Sequence, residues 1–308
     1  MLQQFDVRNK DLMVNINGSL VHRDQAGISP FDSAVQGGDA VWEGLRVYDG
    51  RIFKLREHLD RLVHSAKALA FAEIPTQEAM IREITRTLEA NRMRDGVHIR
   101  LTLTRGVKLT SGMDPRLNTH GPTLIVLAEH KAPVYAASMK KGGLTLVTSS
   151  VRRFPPDCLD PKIHHCNLIQ SILAKIEANA AGADDALMLD LRGFVAETNA
   201  THVFLVRHGP EGDAVETPTC AACPEGITRA TVLGICRREG IACRERDISL
   251  MELYRADEVF CTGTMGELAW VGSIDGRKIG RGECGPMTQR LMGLFVELTR
   301  TEGERVVV

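Results

Sequence analysis

Two rhythms of apolar and polar residues run along this chain. Met13–Asn17 and Ser19–His22 are short strand-like runs on either side of Asn17-Gly18. Asn-Gly suits a two-residue hairpin because both turn positions take positive φ. Val41–Tyr48 and Arg51–Leu55 flank Asp49-Gly50 in the same way and predict a second hairpin. The rhythm then changes. From about Arg56 to Phe71, the residues Leu59, Leu62, Val63, Ala66, Leu69 and Ala70 recur at helical spacing, with His58, Arg61 and Ser65 off that apolar face. A second helix starts near Pro75-Thr76 and carries Met80, Ile81, Ile84 and Leu88. His98–Thr104 and Thr123–Ala128 read as strands.

Residues 130–143 mix proline, glycine, lysine and small side chains, which marks a boundary. The expected organisation is a smaller domain over 1–131, a linker over 132–143 and a larger domain over 144–308. In the second half, Leu144–Ser149, Ala186–Asp190, Thr201–Arg207 and Val259–Cys261 read as strands. A helix is predicted over Asn167–Ala181, with Leu168, Ile169, Ile172, Leu173 and Ile176 inward and Gly182 as its stop. Another spans Thr228–Glu239 and ends at Gly240, and Ser249 and Glu252 have capping-box spacing. Interleaved strands and helices in both halves predict two α/β or α+β domains.

The 308 residues carry 38 Lys+Arg against 39 Asp+Glu. That balance argues against a protein that grips nucleic acid or an anionic membrane, since both need a basic excess. No run of sequence is apolar enough for a membrane span, and the opening residues lack an apolar signal core, so a cytoplasmic chain is expected. The eight cysteines sit mostly in apolar patterns, as at Cys236, Cys243 and Cys261. Cys220-Ala-Ala-Cys223 lacks the second pair that a zinc site needs, so no metal is expected.

Two places could hold a phosphate. Gly226-Ile227-Thr228 leads into an amphipathic helix, whose first N–H groups and partial positive charge attract anions. Thr262-Gly263-Thr264-Met265-Gly266 follows a strand and could turn N–H and hydroxyl donors toward an anion. Lys162, among prolines and just before His164-His165, is either a surface charge or, in a partly apolar pocket, an amine nucleophile. Glu197 lies beyond a turn at Gly193, where it is either solvated or opposed to a basic heterocycle nitrogen.

Taken together, these residues resemble a family. The run Val41-Trp-Glu-Gly-Leu-Arg-Val-Tyr-Asp-Gly50, then His58-Leu-Asp-Arg-Leu62 and Ser65-Ala66, looks like the N-terminal signature of the fold-type IV pyridoxal-phosphate aminotransferases. These include branched-chain and D-amino acid aminotransferases and aminodeoxychorismate lyases. Gly182–Asp190, Gly193–Asn199, Gly226–Arg229, Ala256–Phe260 and Gly263-Thr264 follow in the family's order, so the resemblance covers roughly residues 10–300. It implies an α/β protein with an α+β N-terminal domain and an α/β-barrel-like C-terminal domain. It also implies a homodimer and pyridoxal 5′-phosphate as cofactor.

By this resemblance, Arg61 is the phosphate arginine, Glu197 pairs with the pyridine nitrogen, and Ile227, Thr228 and Thr264 complete the phosphate contacts. Trp42, Arg100 and Arg105 match substrate-pocket positions. Lys162 is assigned the internal aldimine and the acid–base role. The spacing also allows a second alignment: counted back from Ala178 without gaps, the D-amino acid pattern puts the lysine where His164 stands, which would leave a cofactor-binding relative without it. Gly37, His202 and Ala269-Trp270 stand where the family carries other residues, so the substrate is left open. Branched-chain L-amino acids with 2-oxoglutarate lead. A D-amino acid aminotransferase and a 4-amino-4-deoxychorismate lyase are the alternatives on the same fold.

Overall fold

A computed structural model describes residues 3–210 and 212–308, and the chain divides into two compact units. The first comprises 3–132, 163–167 and 299–308, and the second 133–162 and 168–298. Two late segments therefore rejoin the N-terminal residues, where the sequence predicts one uninterrupted C-terminal domain. Backbone hydrogen bonds hold the first of these: Trp42 N donates to His164 O (3.1 Å) and Cys166 N to Ala40 O (2.8 Å).

In the first unit, β1 (Met13–Ile16) and β2 (Ser19–His22) form the expected hairpin, with Asn17 at φ 48° and Gly18 at φ 83°. After α1 (Ser33–Gly37), β3 (Ala40–Tyr48) and β4 (Arg51–Ile52) form the second hairpin across Asp49-Gly50. Next come α2 (Leu55–Ala68), α3 (Gln77–Ala90), β5 (Val97–Thr104) and β6 (Thr123–His130). The side-chain hydroxyl of Thr76 caps α3 by accepting from Ala79 N. The period-2 residues Val41, Leu45, Val47, Ile99, Leu101, Leu103, Val126 and Ala128 form one core with Leu59, Leu62, Met80, Ile84 and Leu88 of the two helices. Each such large side chain, fully buried, contributes about 1.5–3 kcal/mol.

The second unit begins with α4 (Ala136–Met139), β7 (Leu144–Thr148) and α5 (Ile169–Ala180). A hairpin follows, β8 (Asp185–Leu189) and β9 (Val195–Thr198), turning at Gly193. Then come β10 (His202–Arg207), β11 (Ala214–Thr217), α6 (Ile227–Arg238), β12 (Ala242–Glu245), α7 (Leu250–Tyr254), β13 (Glu258–Gly263), β14 (Glu267–Ile274), β15 (Arg277–Lys278) and α8 (Pro286–Thr301). β16 (Glu304–Arg305) returns to pair with β4. The first unit's sheet runs β16-β4-β3-β5-β6-β1-β2, and the second unit's runs β12-β11-β10-β13-β14-β7-β8-β9 with β15 beside β14. The capping box of Ser249 and Glu252 is present at α7.

The inward face of α5 differs from the expected one. Ala174 and Ala178 are buried against Ala186 and Met188, whereas Ile169, Ile172, Leu173 and Ile176 are 61%, 51%, 48% and 56% exposed. The helix has a small-residue stripe and a branched stripe, and the small one packs closest to the sheet.

Candidate active site

In the first unit, β3 turns Glu43 inward between Val41 and Leu45, so a carboxylate sits in an apolar row and is fully buried. Arg61 of α2 meets it with a two-pronged contact: Nε donates to Oε1 (2.7 Å) and Nη2 to Oε2 (2.7 Å). His58, one turn earlier, lies 2.6 Å from Oε2 through Nδ1, and His164 Nδ1 lies 3.3 Å from Oε1. Burial alone would push the Glu43 carboxyl up. The charge and hydrogen bonds of Arg61, with His164 beside it, outweigh it and hold the carboxyl well below the usual carboxylate range. The sequence places His58 and Ser65 off the buried face of α2, but both are buried. The helix meets this polar cluster as well as the core.

His164 is fixed on all sides. Its backbone N–H donates to Ser65 Oγ (3.0 Å), its Nδ1 lies 2.6 Å from the Trp42 carbonyl oxygen, and its ring stacks on Trp42 at 4.5 Å. Burial, then the nearby Arg61 charge, holds its imidazole below the ordinary value. A neutral imidazole facing a carbonyl at Nδ1 carries its hydrogen there, leaving the lone pair on Nε2.

The two candidate substrate arginines differ. Arg105 is committed: it donates to both Asp39 carboxylate oxygens (2.6 and 3.1 Å) and to the Leu69 and Ala70 carbonyls, and it lies over the Phe71 ring. Arg100 lies over the Trp42 ring at 3.5 Å, and its Nη2 reaches Cys166 Sγ at 3.9 Å. It has no carboxylate partner among the described residues. His98, also on β5, is held down to about 3 by burial, then by Lys131, Arg46 and Arg100, so this part of the sheet is electropositive.

In the second unit, β9 carries Glu197 opposite Met188, buried and ion-paired with Arg153 Nε at 3.0 Å. His202 Nδ1 lies 3.8 Å from its other oxygen. On the far side of the same imidazole is Gly226, where an added Cβ would fall 2.2 Å from His202 Cδ2 and Nε2. One ring therefore separates the Glu197 carboxylate from the start of α6. Gly226 caps that helix with no side-chain hydrogen bond, and the buried Thr228 follows Ile227 in its first turn. Thr264 lies just past the end of β13, next to Gly263, which packs closely on Thr201. A buried carboxylate and a helix N-terminus therefore flank the His202 ring, the one able to face a basic group and the other an anion.

Lys162 lies near the start of α6, paired with the residue directly before Gly226. Its side chain is 52% exposed and its Nζ is 3.4 Å from Glu225 Oε1. Sequence reasoning missed Glu43 as a site residue, although a lone carboxylate at an inward strand position is a readable signal. It also missed how closely His202 packs on Gly226, which spacing does not reveal.

In the second unit a helix start without a side-chain cap and a buried carboxylate thus stand close together. The family model for amino-transferase class IV matches residues 40–274, and the chain belongs to that family. It is 55% identical over 295 residues to branched-chain-amino-acid aminotransferase-like protein 2 of Arabidopsis thaliana, covering 96% of this chain and 52% of that one. The chain thus spans about half the length of that relative. It is 32% identical over 311 residues to the branched-chain-amino-acid aminotransferase of Pseudomonas aeruginosa, covering 96% and 95% of the two chains. The branched-chain amino acid aminotransferase of Thermobaculum terrenum, solved in its PLP-form, superposes with a TM-score of 0.84 at 26% identity, covering 97% of this chain and 100% of that one.

Proposed function

We propose that this chain binds pyridoxal 5′-phosphate and moves amino groups between an amino acid and a 2-oxo acid, with branched-chain L-amino acids and 2-oxoglutarate as the leading pair. The observation that carries this reading is the pairing of buried Glu197 with the uncapped N-terminus of α6, on opposite sides of the His202 ring. Ile227 and Thr228 bind the phosphate through their N–H groups and the Thr228 hydroxyl, with Thr264 as a further contact. In the first unit, Glu43 orients Arg61 through its two-pronged contact. Glu197 faces the ring nitrogen and holds a proton there, with Arg153 as its ion-pair partner. The cofactor supplies an electron sink for the bond-breaking step. Arg100 binds the substrate carboxylate beside the flat face of Trp42. Arg105, with its donors already engaged by Asp39 and two carbonyls, holds its own loop instead.

The amine is the open position. Lys162 is the lysine that the longer alignment offers, and leaving its Glu225 pair would free it. Its exposure and the fixed, part-buried state of His164 favour the reading without a lysine. The working unit is a homodimer in the cytoplasm. The exposed branched face of α5 supports a covered surface there, and no helix among the described residues is long and apolar enough to cross a membrane.

The test is an absorbance titration with pyridoxal phosphate, followed by a screen of L- and D-amino acids for conversion of bound cofactor to its amine form. Saturable binding with conversion by branched-chain L-amino acids is expected. Absence of saturable binding would refute the reading.

A further inference from the structure

The function proposed above leaves the Cys220-Ala-Ala-Cys223 run unused. It lies between the end of β11 and the start of α6, wholly within the second unit. The chain turns over residues 220–221 and bends over 222–223. A reversal of this kind keeps residues three apart within about 7 Å at Cα, a separation that a disulfide can span. The thiols already meet: the Cys223 side chain hydrogen-bonds to Cys220 and faces the Thr219 carbonyl oxygen at 4.0 Å. Arg229 steadies the loop by donating to the Pro218 carbonyl (2.6 Å) and pairing with Glu245 (2.5 Å). The two sulfurs are not equivalent. Cys220 is partly exposed and Cys223 is buried, so a solute meets Cys220 first. The hydrogen bond from Cys223, with the Arg229 charge nearby, lowers the Cys220 thiol from its ordinary value against the opposing effects of burial, Glu245 and Glu197. The same bond and burial push the Cys223 thiol well up. Burial also pushes Cys166 up and takes Cys236 and Cys261 to about 12.

We infer that Cys220 and Cys223 form a peroxide-reactive dithiol, with Cys220 as the attacking sulfur and Cys223 as the sulfur that closes the disulfide. The inference goes beyond the cofactor reading and needs no bound cofactor. The co-reactant is a small hydroperoxide, ROOH. The Cys220 thiolate attacks its outer oxygen, the O–O bond breaks, and the leaving alkoxide takes up a proton as ROH. Residue 220 is then a sulfenic acid. The Cys223 sulfur attacks the sulfenic sulfur, the S–O bond breaks, and hydroxide leaves as water with the proton that Cys223 gives up. Two thiols and one hydroperoxide thus yield one disulfide, one ROH and one water. The two sulfurs lose two electrons in all, and the peroxide oxygens gain them. The closing sulfur is in contact with its target before the first step, which favours the disulfide over further oxidation of Cys220. A dithiol reductant reverses the change by exchange.

The test uses the full chain, first reduced, then treated with hydrogen peroxide, quenched with N-ethylmaleimide and digested with trypsin. Both cysteines fall in one peptide, His208–Arg229, which holds no other cysteine. Mass spectrometry is expected to show this peptide two hydrogens lighter and without the alkylating label, and to show it restored by dithiothreitol. In Cys223→Ser, dimedone is expected to trap a sulfenic acid at residue 220. In Cys220→Ser, oxidation of residue 223 is expected to run at least about tenfold slower than that of Cys220 in the wild type. A wild-type peptide that stays alkylated at both cysteines overturns the inference, as does a disulfide from either of them to any other cysteine. So does Cys223→Ser that takes no dimedone at residue 220, or Cys220→Ser whose residue 223 reacts as fast as Cys220. The wild-type reading needs no variant, so it decides the matter even if a substitution unfolds the chain.

Discussion

Glu43→Gln removes the buried charge that organises the first unit's polar cluster while keeping its shape. The carboxylate accepts two hydrogen bonds from Arg61, at 2.7 Å each, and one from His58 at 2.6 Å. The amide would turn an NH2 group toward one of these donors and take the carboxylate charge away from the Arg61 guanidinium. Removing one partner of a buried pair costs about 3–5 kcal/mol. Arg61 keeps some access to water, its side chain being 16% exposed, so the lower end, about 3 kcal/mol, is expected. For a chain of this size that lowers Tm by about 6–12 °C. Urea unfolding followed by circular dichroism, at pH 7 and across an acid series, measures it. The double variant Glu43→Gln/Arg61→Gln should recover part of the loss, because both members of the buried pair are then neutral. The sign with pH follows from the folded carboxyl lying well below its unfolded value. The stabilisation is complete above about pH 4.3 and is lost as pH falls from there through the folded value. A Glu43→Gln midpoint equal to that of the wild type, corresponding to less than about 0.5 kcal/mol, would refute this account of the cluster.

Two further outcomes concern β5. The folded His98 imidazole resists protonation down to about 3, while the unfolded side chain takes a proton near its ordinary 6.5. Stability should therefore fall as pH drops from 6.5 to 3, by at most about 1.4 kcal/mol per pH unit for this group. Denaturant titrations of His98→Gln should show a shallower fall than the wild type. Arg100→Gln should raise the KM for the oxo acid by about 10-fold to 100-fold, the value of a charge-assisted hydrogen bond, in steady-state assays. Arg105→Gln should instead lower thermal stability, through loss of its Asp39 and carbonyl contacts.

The hairpins were legible because their turns are encoded locally: Asn17-Gly18 and Asp49-Gly50 need positive φ and have residues that take it. α2 and α3 were legible because their apolar stripes are long and regular. The inward face of α5 was not, because periodicity identifies two apolar stripes without saying which meets the sheet. There the shorter side chains of Ala174 and Ala178 allow the closer approach. The phosphate-binding start proposed for α6 followed from glycine and threonine ahead of an amphipathic run. The partners of Glu43, the contact of His202 and the packing of His164 were not legible, because each depends on contacts between residues distant in sequence. Glu43 and Arg61 lie 18 positions apart, and His164 and Trp42 lie 122 apart. The family resemblance fixed the set of roles, but its register alone could not choose between Lys162 and His164.

Pyridoxamine 5′-phosphate has no aldehyde, so its affinity reports the pocket apart from any bond to an amine. Calorimetric titration of it into the wild type and Gly226→Ala addresses the account most directly. The added methyl would press on the His202 ring beside Glu197, and overpacking of this kind costs about 1–3 kcal/mol. The account predicts one saturable site per chain in the wild type and an affinity about tenfold lower in the variant. No binding by the wild type, or equal affinity in the two, would contradict the claim that Glu197 and the start of α6 hold the cofactor between them.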